Sequence, residues 1–255
     1  MARVFITGSS EGLGLLAGQQ LAASGHQVTL HARNDARAAD ARRALPGVEA
    51  VVVGDLSAIA AMNAVAEQVN ALGRYDAVIH NVGVGSRESR RETADGLLQL
   101  FAVNVLAPYV LTARITRPER VIYLSSGMHM GGRPSLDDPQ WTRRRWNGSQ
   151  AYSDSKLFDV LLAFWVARHW SSVLSNAVEP GWVATRMGGA GAPDDLAAGA
   201  ATQAWLATSN DRAARVSGQY FYHQQPRRNH AAARREDLQE GLVEYCEGLT
   251  GVRLT

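Results

Sequence analysis

The chain has 255 residues and a formal net charge of +2 at pH 7, a balance that argues neither for a nucleic-acid partner nor for a membrane surface, so we expect neither. Its single cysteine, Cys246, cannot form an internal disulfide, and no apolar run reaches the roughly 18 residues that a membrane span needs. Since a strand pattern begins almost at the first residue, we expect no signal peptide, and therefore a cytoplasmic protein without a membrane span.

A short strand, a glycine-rich turn and a helix open the chain. Residues 4–6 are the strand, residues 7–14 the turn, and an apolar helix continues to Ala23. Glycines permit a tight turn and a close approach of the backbone to a phosphate, and the positive end of the following helix suits a pyrophosphate. The turn therefore predicts a nucleotide site, with the candidate residues Gly8, Ser10, Glu11, Gly12, Leu13 and Gly14.

Residues 27–31 form the second predicted strand, and Arg33 follows it. In a doubly wound sheet this strand tip lies near the adenosine ribose of a dinucleotide, where an acidic residue would select NAD. No acid stands here, and the planar guanidinium of Arg33 can bind a 2′-phosphate through two hydrogen bonds. The strand tip favours NADP and leaves NAD open, unless Arg33 is only a solvated surface residue or the charge of Glu11 opposes the phosphate.

The third strand, residues 49–53, is followed by Asp55 and Leu56. Asp55 could accept a hydrogen bond from the adenine amino group, or could serve only in the turn. Ser57 is the expected N-cap of a helix over residues 58–72, because serine side chains commonly accept the free amides of a first helical turn. Asp55 and Leu56 are kept as candidate cofactor residues.

The fourth strand, residues 75–80, ends beside three further candidates for the cofactor site, Asn81, Val82 and Gly83. A helical run is predicted after it, over residues 92–115. This run places Asn104 among apolar neighbours, where the amide is either a satisfied core residue or part of a site.

The fifth strand, residues 120–124, brings Ser126 to its tip, and a polar loop over residues 127–150 leads into a long helix. Tyr152 and Lys156 lie four positions apart at the start of this helix, about one turn, and so project from one face. A free phenol has a pKa of about 10, and a nearby cation lowers it. Such a tyrosine can exchange protons with an alcohol or a ketone near neutral pH, although the same spacing also arises by chance in many helices.

A sixth strand over residues 173–178 ends in a turn with four more cofactor candidates, Pro180, Gly181, Val183 and Thr185. The Gly- and Ala-rich stretch over residues 186–195 has a composition suited to a mobile lid. A helix over residues 194–207, a last strand over 218–222 and an amphipathic helix over 234–247 complete the chain.

Strand and helix alternate strictly, which predicts an α/β fold of the Rossmann type. We expect a doubly wound parallel sheet of about seven strands with helices on both faces, in three layers. Neither a repeat nor a linker interrupts the pattern, so residues 1–255 are expected to form a single domain. Right-handed crossovers bring all the strand tips to one edge, where ligands of such sheets bind.

Apolar side chains in the loops at this edge suit an apolar carbonyl compound or alcohol, although they could equally be packing residues. The substrate candidates are Met128, Trp146, Trp182 and Met187. Arg133 or His129 could instead contact a polar or anionic group.

Together these residues give the chain a resemblance to the short-chain dehydrogenase/reductase family, classical type, over essentially its whole length. Residues 7–14 resemble the cofactor turn of that family, residues 152–156 its catalytic segment, and residues 180–185 the turn that holds the nicotinamide carboxamide. His80 and Val82 depart from the family pattern. The tail of the chain, and the long gap between the candidate serine and tyrosine, resemble the retinol-dehydrogenase-like branch.

The resemblance implies an oxidoreductase that uses NADP(H) to interconvert a ketone or aldehyde and its alcohol, without a metal. Tyr152 would exchange the proton, and Lys156 would lower the Tyr152 pKa and bind the nicotinamide ribose. Ser126 would stabilise the substrate oxygen, and Asn104 would anchor a water molecule of a proton relay. The family allows for a homodimer or homotetramer. Two alternatives are a redox-sensing nucleotide-binding module without turnover and a sugar-nucleotide epimerase or dehydratase, although the latter usually carries a larger second domain.

Overall fold

The computed structural model describes residues 1–86 and 89–255. Within them, seven parallel strands and a short antiparallel eighth form one sheet. In chain order the strands are β1 Arg3–Ile6, β2 Gln27–Ala32, β3 Ala50–Val53, β4 Ala77–His80, β5 Arg120–Leu124, β6 Leu174–Glu179, β7 Tyr220–Tyr222 and β8 Gln225–Pro226. Their order across the sheet is β3-β2-β1-β4-β5-β6-β7-β8, so the winding reverses between β1 and β4.

Helices cover both faces of this sheet. They are α1 Gly12–Ala23, α2 Asp35–Ala44, α3 Ile59–Ala71, α4 Gln99–Phe101, α5 Ala107–Arg114, α6 Gly148–His169, α7 Leu196–Thr208 and α8 Glu236–Thr250. Buried side chains of α1, α2 and α7 form one apolar cluster with the strands, and those of α3, α5, α6 and α8 form another. The expected three-layer, doubly wound Rossmann-type fold is confirmed.

The helix after β4 differs from the prediction. It begins at Gln99 rather than at residue 92, because Glu92 forms an antiparallel bridge with Leu98. Between α4 and α5 the backbone makes a π-helical turn, Ala102–Leu106. Such turns insert one extra residue into a helix and are frequent at functional sites. Here the turn carries Asn104.

The start of α3 also corrects a prediction. Its N-cap residue is Ala58, and Ser57 does not cap it. The amide of Ile59 instead donates to Oδ2 of Asp95 at 2.8 Å, a carboxylate 36 positions further along the chain. An acidic group at a helix N-terminus satisfies a free amide and is favoured by the helix dipole.

The last helix, α8, packs along α6 and also touches α5. Trp165 on α6 donates to Glu240 at 2.7 Å, and Tyr109 on α5 donates to the carbonyl of Val252 at 2.7 Å. The surface of α6 that faces away from the sheet is therefore largely covered by the chain itself. Among the described helices, none is both long enough and apolar enough to cross a membrane.

Candidate active site

The glycine-rich turn between β1 and α1 forms a cradle that only small residues allow. Gly8 and Gly12 have φ angles of +59° and +60°, in the left-handed region. A β-carbon on Gly14 would overlap Nδ2 of Asn81 and would lie 2.8 Å from the carbonyl oxygen of Gly8. The N-cap residue Glu11 does not cap α1 with its side chain, so the first-turn amides are open to an anion. These residues fit the pyrophosphate of a nicotinamide dinucleotide.

Asn81 and Val82 hold the turn from the neighbouring strand. The Nδ2 atom of Asn81 donates to the carbonyls of Thr7 and Gly8 at 3.0 and 2.9 Å. The backbone amides of Asn81 and Val82 both donate to Oγ1 of Thr7 at 3.0 Å. The tips of β1 and β4 are thereby locked together at the point where the winding reverses.

His31, near the end of β2, is a supporting residue of this turn that was not anticipated. Its Nδ1 atom accepts the amide hydrogen of Gly8 at 3.0 Å, so Nε2 carries the proton and donates to the carbonyl of Gly54 at 2.9 Å. Burial lowers the His31 pKa to about 4, opposed by the hydrogen bond to Gly54 and the charge of Asp55. No sequence signal distinguished it, because the same strand also contains the polar residues Gln27 and Thr29.

We expect the protein to lose stability as the pH falls below 6.5, because in this range His31 stays neutral in the folded protein but becomes protonated in the unfolded chain. The folded-state pKa of about 4 lies below the ordinary value of 6.5, so the unfolded chain binds the proton first as the pH falls. The loss should approach about 3 kcal/mol near pH 4. Urea unfolding between pH 7 and pH 4 would measure it.

The matched variant is His31→Asn, whose amide oxygen can still accept from Gly8. It should flatten the pH dependence relative to the wild type, with the remaining slope coming from other groups such as the buried His80. An unchanged slope in this variant would contradict the prediction.

Two arginines pair with Glu11 beside the cradle, and a third follows β2. Arg33 is exposed just after β2. Arg37 and Arg186 lie 3.3 and 3.8 Å from the carboxylate of Glu11. The negative charge that complicated the NADP prediction is thus paired with two cations, and the local balance is positive.

The adenine candidates Asp55 and Leu56 have different surroundings. Asp55 is exposed, and its Oδ1 accepts the amide of Ser57 at 3.0 Å, so it forms the turn while leaving Oδ2 toward solvent. Leu56 is only 2% exposed and packs in the core with Met62 and Val65. A contact of Leu56 with a cofactor would therefore involve its backbone.

The turn after β6 borders the cradle on its other side. A β-carbon on Gly12 would lie 3.7 Å from Cγ2 of Thr185. Gly181 has a φ of +85° and packs against Asp194, which also accepts the amide of Trp182 at 2.6 Å. Two further candidates, Pro180 and Val183, are half-buried and buried respectively. Thr185 is thus the member of this turn that the structure brings beside the glycines.

Lys156 and Asn104 approach Gly83, just beyond the end of β4, and Tyr152 lies beside Lys156. The ammonium nitrogen of Lys156 lies 5.9 Å from the centre of the Tyr152 ring. A β-carbon on Gly83 would lie 3.7 Å from that nitrogen and 3.5 Å from Oδ1 of Asn104. The neighbouring residue Ser125 donates to the carbonyl of Lys156 at 2.7 Å, which places the tip of β5 against the same part of α6.

Asn104 uses both polar atoms of its side chain within the protein. Its Oδ1 accepts the amide of Val84 at 2.8 Å, and its Nδ2 donates to the carbonyl of Val84 at 3.1 Å and to Ser155 at 3.0 Å. The buried amide therefore fixes the segment after β4 against α6. Both Nδ2 hydrogens are used, so the side chain could hold a relay water only through the second lone pair of Oδ1.

His129 supports Ser126 from behind. Its Nδ1 donates to the carbonyl of Ser126 at 2.7 Å, while its Nε2 accepts the amide of His230 at 3.2 Å. Its ring is 1% exposed and packs on Tyr220 with 4.4 Å between ring centres. The suggestion that His129 contacts substrate is therefore wrong, and its role is structural.

The apolar substrate candidates divide into two groups. Met128, Trp182 and Met187 are 40%, 56% and 44% exposed, which is unusual for large apolar side chains. The sulfur of Met187 lies 4.0 Å from the hydroxyl oxygen of Tyr152. Trp146, by contrast, packs on Trp141 with 5.5 Å between ring centres and against the core. The structure thus places Met187 at the proposed reacting atoms and Trp146 in a packing position.

Comparisons with known proteins agree with this geometry. The short chain dehydrogenase family model matches residues 2–128. The chain is 44% identical to the oxidoreductase AN7799 of Emericella nidulans, covering 99% of this chain and 98% of that protein. It is 38% identical to the short-chain dehydrogenase chyC of Penicillium rubens, covering 100% of this chain and 99% of that protein. A crystal structure of a Mycobacterium paratuberculosis protein, 26% identical, superposes with a TM-score of 0.86 over 100% of this chain and 95% of that one.

The chain therefore belongs to the short-chain dehydrogenase family. It is an oxidoreductase of the kind that acts on CH–OH groups. Human retinol dehydrogenase 13 is 31% identical to it over 72% of this chain and 60% of that protein, which bears out the resemblance to the retinol-dehydrogenase-like branch.

Proposed function

We propose that the protein uses NADP(H) to interconvert an apolar ketone or aldehyde and the corresponding alcohol. When bound, the nicotinamide cofactor supplies or accepts the hydride. Tyr152 donates the proton to the carbonyl oxygen in reduction and accepts it in oxidation. Lys156 holds positive charge beside the phenol, and Ser126 donates a hydrogen bond to the same substrate oxygen.

The observation that carries the proposal is the approach of Lys156 and Asn104 to Gly83, with the Tyr152 ring 5.9 Å from the Lys156 nitrogen. These side chains come from α6 and from the π-helical turn, and they lie at the edge of the sheet where the winding reverses between β1 and β4. The phosphate cradle lies at the same edge, so a dinucleotide bound there would extend toward the phenol. A nucleotide sensor would need the cradle but not this second group of residues.

A panel of aldehydes, ketones and alcohols, followed through the absorbance of NADPH and NADH, tests the reaction class. We expect turnover of apolar, bulky carbonyl compounds, because Met187 presents apolar surface beside Tyr152 and because Met128 and Trp182 are also exposed. Binding of NADPH without turnover of any member would favour the sensing module. Turnover of a sugar nucleotide without net change in the cofactor would favour the epimerase.

The preference for NADP rests on the charges at the end of β2. Arg33 is exposed just after β2, where the 2′-phosphate is expected, and Arg37 lies in the first turn of α2. Glu11, which would repel that phosphate, is already paired with Arg37 and Arg186. The exposed Arg33 and the neutralised charge of Glu11 therefore both favour a cofactor that carries an additional negative charge.

Replacing Arg33 with alanine should weaken NADPH binding by roughly ten- to a hundredfold and leave NADH binding almost unchanged. The reason is the loss of a charged hydrogen-bond donor that only the 2′-phosphate would use. Fluorescence titration of each cofactor measures the two affinities. Arg43→Ala is the matched control, because it removes an equal charge at the other end of α2, where Arg43 pairs with Asp40. Equal weakening of both cofactors by Arg33→Ala would refute the phosphate contact.

The proposed partner is a small molecule. Pairing of two copies across α6 would have to displace α8 from the surface that it covers. A homodimer or homotetramer of this protein would therefore have to use another surface. Light scattering of the purified chain would determine the number of copies.

A further inference from the structure

Asp159 is a buried carboxylate that contacts the ammonium group of Lys156. It lies three positions after Lys156 on α6, and its Oδ2 accepts from Nζ at 2.8 Å. The two side chains are 3% and 5% exposed. The other oxygen, Oδ1, is buried and has no hydrogen-bond partner among the residues that the structure describes.

The ammonium group of Lys156 is held from two directions. Besides Asp159, it donates to the carbonyl of Leu124, at the tip of β5, at 2.8 Å. Two of its three hydrogens are therefore directed away from Tyr152, and the third remains for other contacts. The carboxylate thus fixes both the place and the orientation of the cation that the proposed mechanism uses.

The pair is ionic at neutral pH. Burial works to lower the pKa of Lys156, but Asp159 and then Tyr152 raise it, and the net direction is upward. Burial raises the pKa of Asp159 to about 6, against the opposing effect of Lys156. A buried ion pair of this kind is seldom the most stable solution for a core position, which directs attention to a role in the chemistry.

The other titratable groups around Asp159 carry no positive charge. Tyr123 on β5 is neutral, because burial and the charge of Asp159 both raise its pKa. Its hydroxyl lies 2.8 Å from that of Thr112, and its ring is tilted against the ring of His80, whose pKa burial lowers. On α6 itself, Lys156 and Tyr152 share the helical face of Asp159, one and two turns before it. Lys156 is therefore the counter-ion of Asp159.

We propose that Asp159 is a positioning residue that acts through Lys156 and sets the pH at which Tyr152 exchanges its proton. This inference rests on the proposed function for the role of Tyr152. A cation beside a phenol favours the phenolate, and a carboxylate bonded to that cation cancels part of its field. Asp159 thereby keeps Tyr152 protonated to a higher pH than Lys156 alone would, which favours proton donation and hence reduction.

Asp159→Asn tests the inference, because the amide keeps the size of the side chain and an acceptor for Lys156 but removes the charge. We expect the pH profile of kcat/KM for alcohol oxidation, whose rising limb reports the ionisation of Tyr152, to shift by about one unit to lower pH. At a fixed pH on that limb, oxidation should be about tenfold faster than in the wild type. A limb that stays in place or moves to higher pH overturns the proposal.

Asp154→Asn is the matched control on the same helix. Asp154 is also buried and ion-paired, with Arg144 at 3.4 Å, but it faces the loop before α6 and accepts the amide of Arg133 at 2.8 Å. The Asp154→Asn substitution removes the same charge from a residue that does not contact Lys156, so the rising limb of the pH profile should not move. An equal shift in this control would assign the effect to net charge and overturn the role of the Lys156 contact.

A second readout needs no turnover. The ultraviolet absorbance of the ionised phenol, taken as the difference between each protein and its Tyr152→Phe counterpart, reports the titration of Tyr152 alone. This titration should also move to lower pH in Asp159→Asn, and Asp159→Ser should reproduce the shift if the amide variant does not fold. A shifted titration in a protein that turns over no carbonyl compound would refute the proposed function and support this inference. Turnover of a carbonyl compound together with an unchanged titration of Tyr152 would support the proposed function and refute this inference.

Discussion

Tyr152→Phe is expected to abolish carbonyl reduction while the protein continues to bind NADPH. Phenylalanine keeps the aromatic ring, which packs against the hydrophobic core and whose centre lies 5.9 Å from the Lys156 nitrogen. It removes the hydroxyl that is proposed to exchange the proton. General acid catalysis of this kind contributes roughly 10²- to 10⁴-fold to a rate. We therefore expect kcat to fall by that factor, with the NADPH dissociation constant, measured by fluorescence, changing little.

Tyr245→Phe serves as the control for this variant. Tyr245 lies on α8, where its ring packs edge-on against Phe101 with 5.7 Å between centres, far along the chain from the glycine turn. The Tyr245→Phe variant also loses a phenolic hydroxyl, but one that takes no part in the proposed proton exchange, so turnover should persist. Comparable rates in the wild type and Tyr152→Phe would remove Tyr152 from the mechanism.

Gly14→Ala should have the largest effect on cofactor binding. Its β-carbon would overlap the amide nitrogen of Asn81 and press on the backbone of Gly8 and Ser9, so the turn itself must move. Overpacking of this kind costs about 1–3 kcal/mol of stability. Because the same shift disturbs the amides that face the pyrophosphate, we expect NADPH binding to fall to an undetectable level in calorimetric titration.

Gly248→Ala provides the contrast within one chain. A β-carbon on Gly248, in α8, would meet no atom of the described chain within 4 Å. Alanine favours a helix over glycine by about 0.5–1 kcal/mol, so this variant should be as stable as the wild type or slightly more stable. Undiminished NADPH binding by Gly14→Ala would show that the turn is not a phosphate cradle.

Seven of the strands, with their ends to within about two residues, could be predicted because each carries a short apolar run that helices bury on both faces. β5 was predicted over its observed range, and all five of its residues are buried. The residues at the strand tips could be grouped into one site for a topological reason, since parallel strands with right-handed crossovers end at one edge. The spacing of Tyr152 and Lys156 needed only the geometry of a helix.

Contacts between residues far apart in the chain could not be read from the sequence. The cap of α3 comes from Asp95 and the support of Gly8 from His31, and neither pairing has a local signal. Asp159 lay in a run that was interpreted only as an apolar helix. Its importance depends on burial beside Lys156, which the structure alone establishes.

The hairpin of β7 and β8 was missed for a conformational reason. Its two turn residues, His223 and Gln224, have φ angles of +46° and +62°. Two-residue hairpin turns with positive φ at both positions usually contain Asn and Gly, so the sequence carried none of the usual signs. The sheet consequently has eight strands rather than about seven.

The side chain of Met187 occupies the space beside the Tyr152 hydroxyl that a substrate would need. Its sulfur rests against the Tyr152 hydroxyl, and its side chain runs along Gly83 and Gly85. An incoming molecule must take over this place, and its measured affinity includes the contacts that the thioether gives up. A broad apolar molecule replaces those contacts, whereas a small hydrophilic one cannot. If Tyr152 exchanges the proton as proposed, this one flexible side chain is expected to favour broad apolar substrates over small hydrophilic ones.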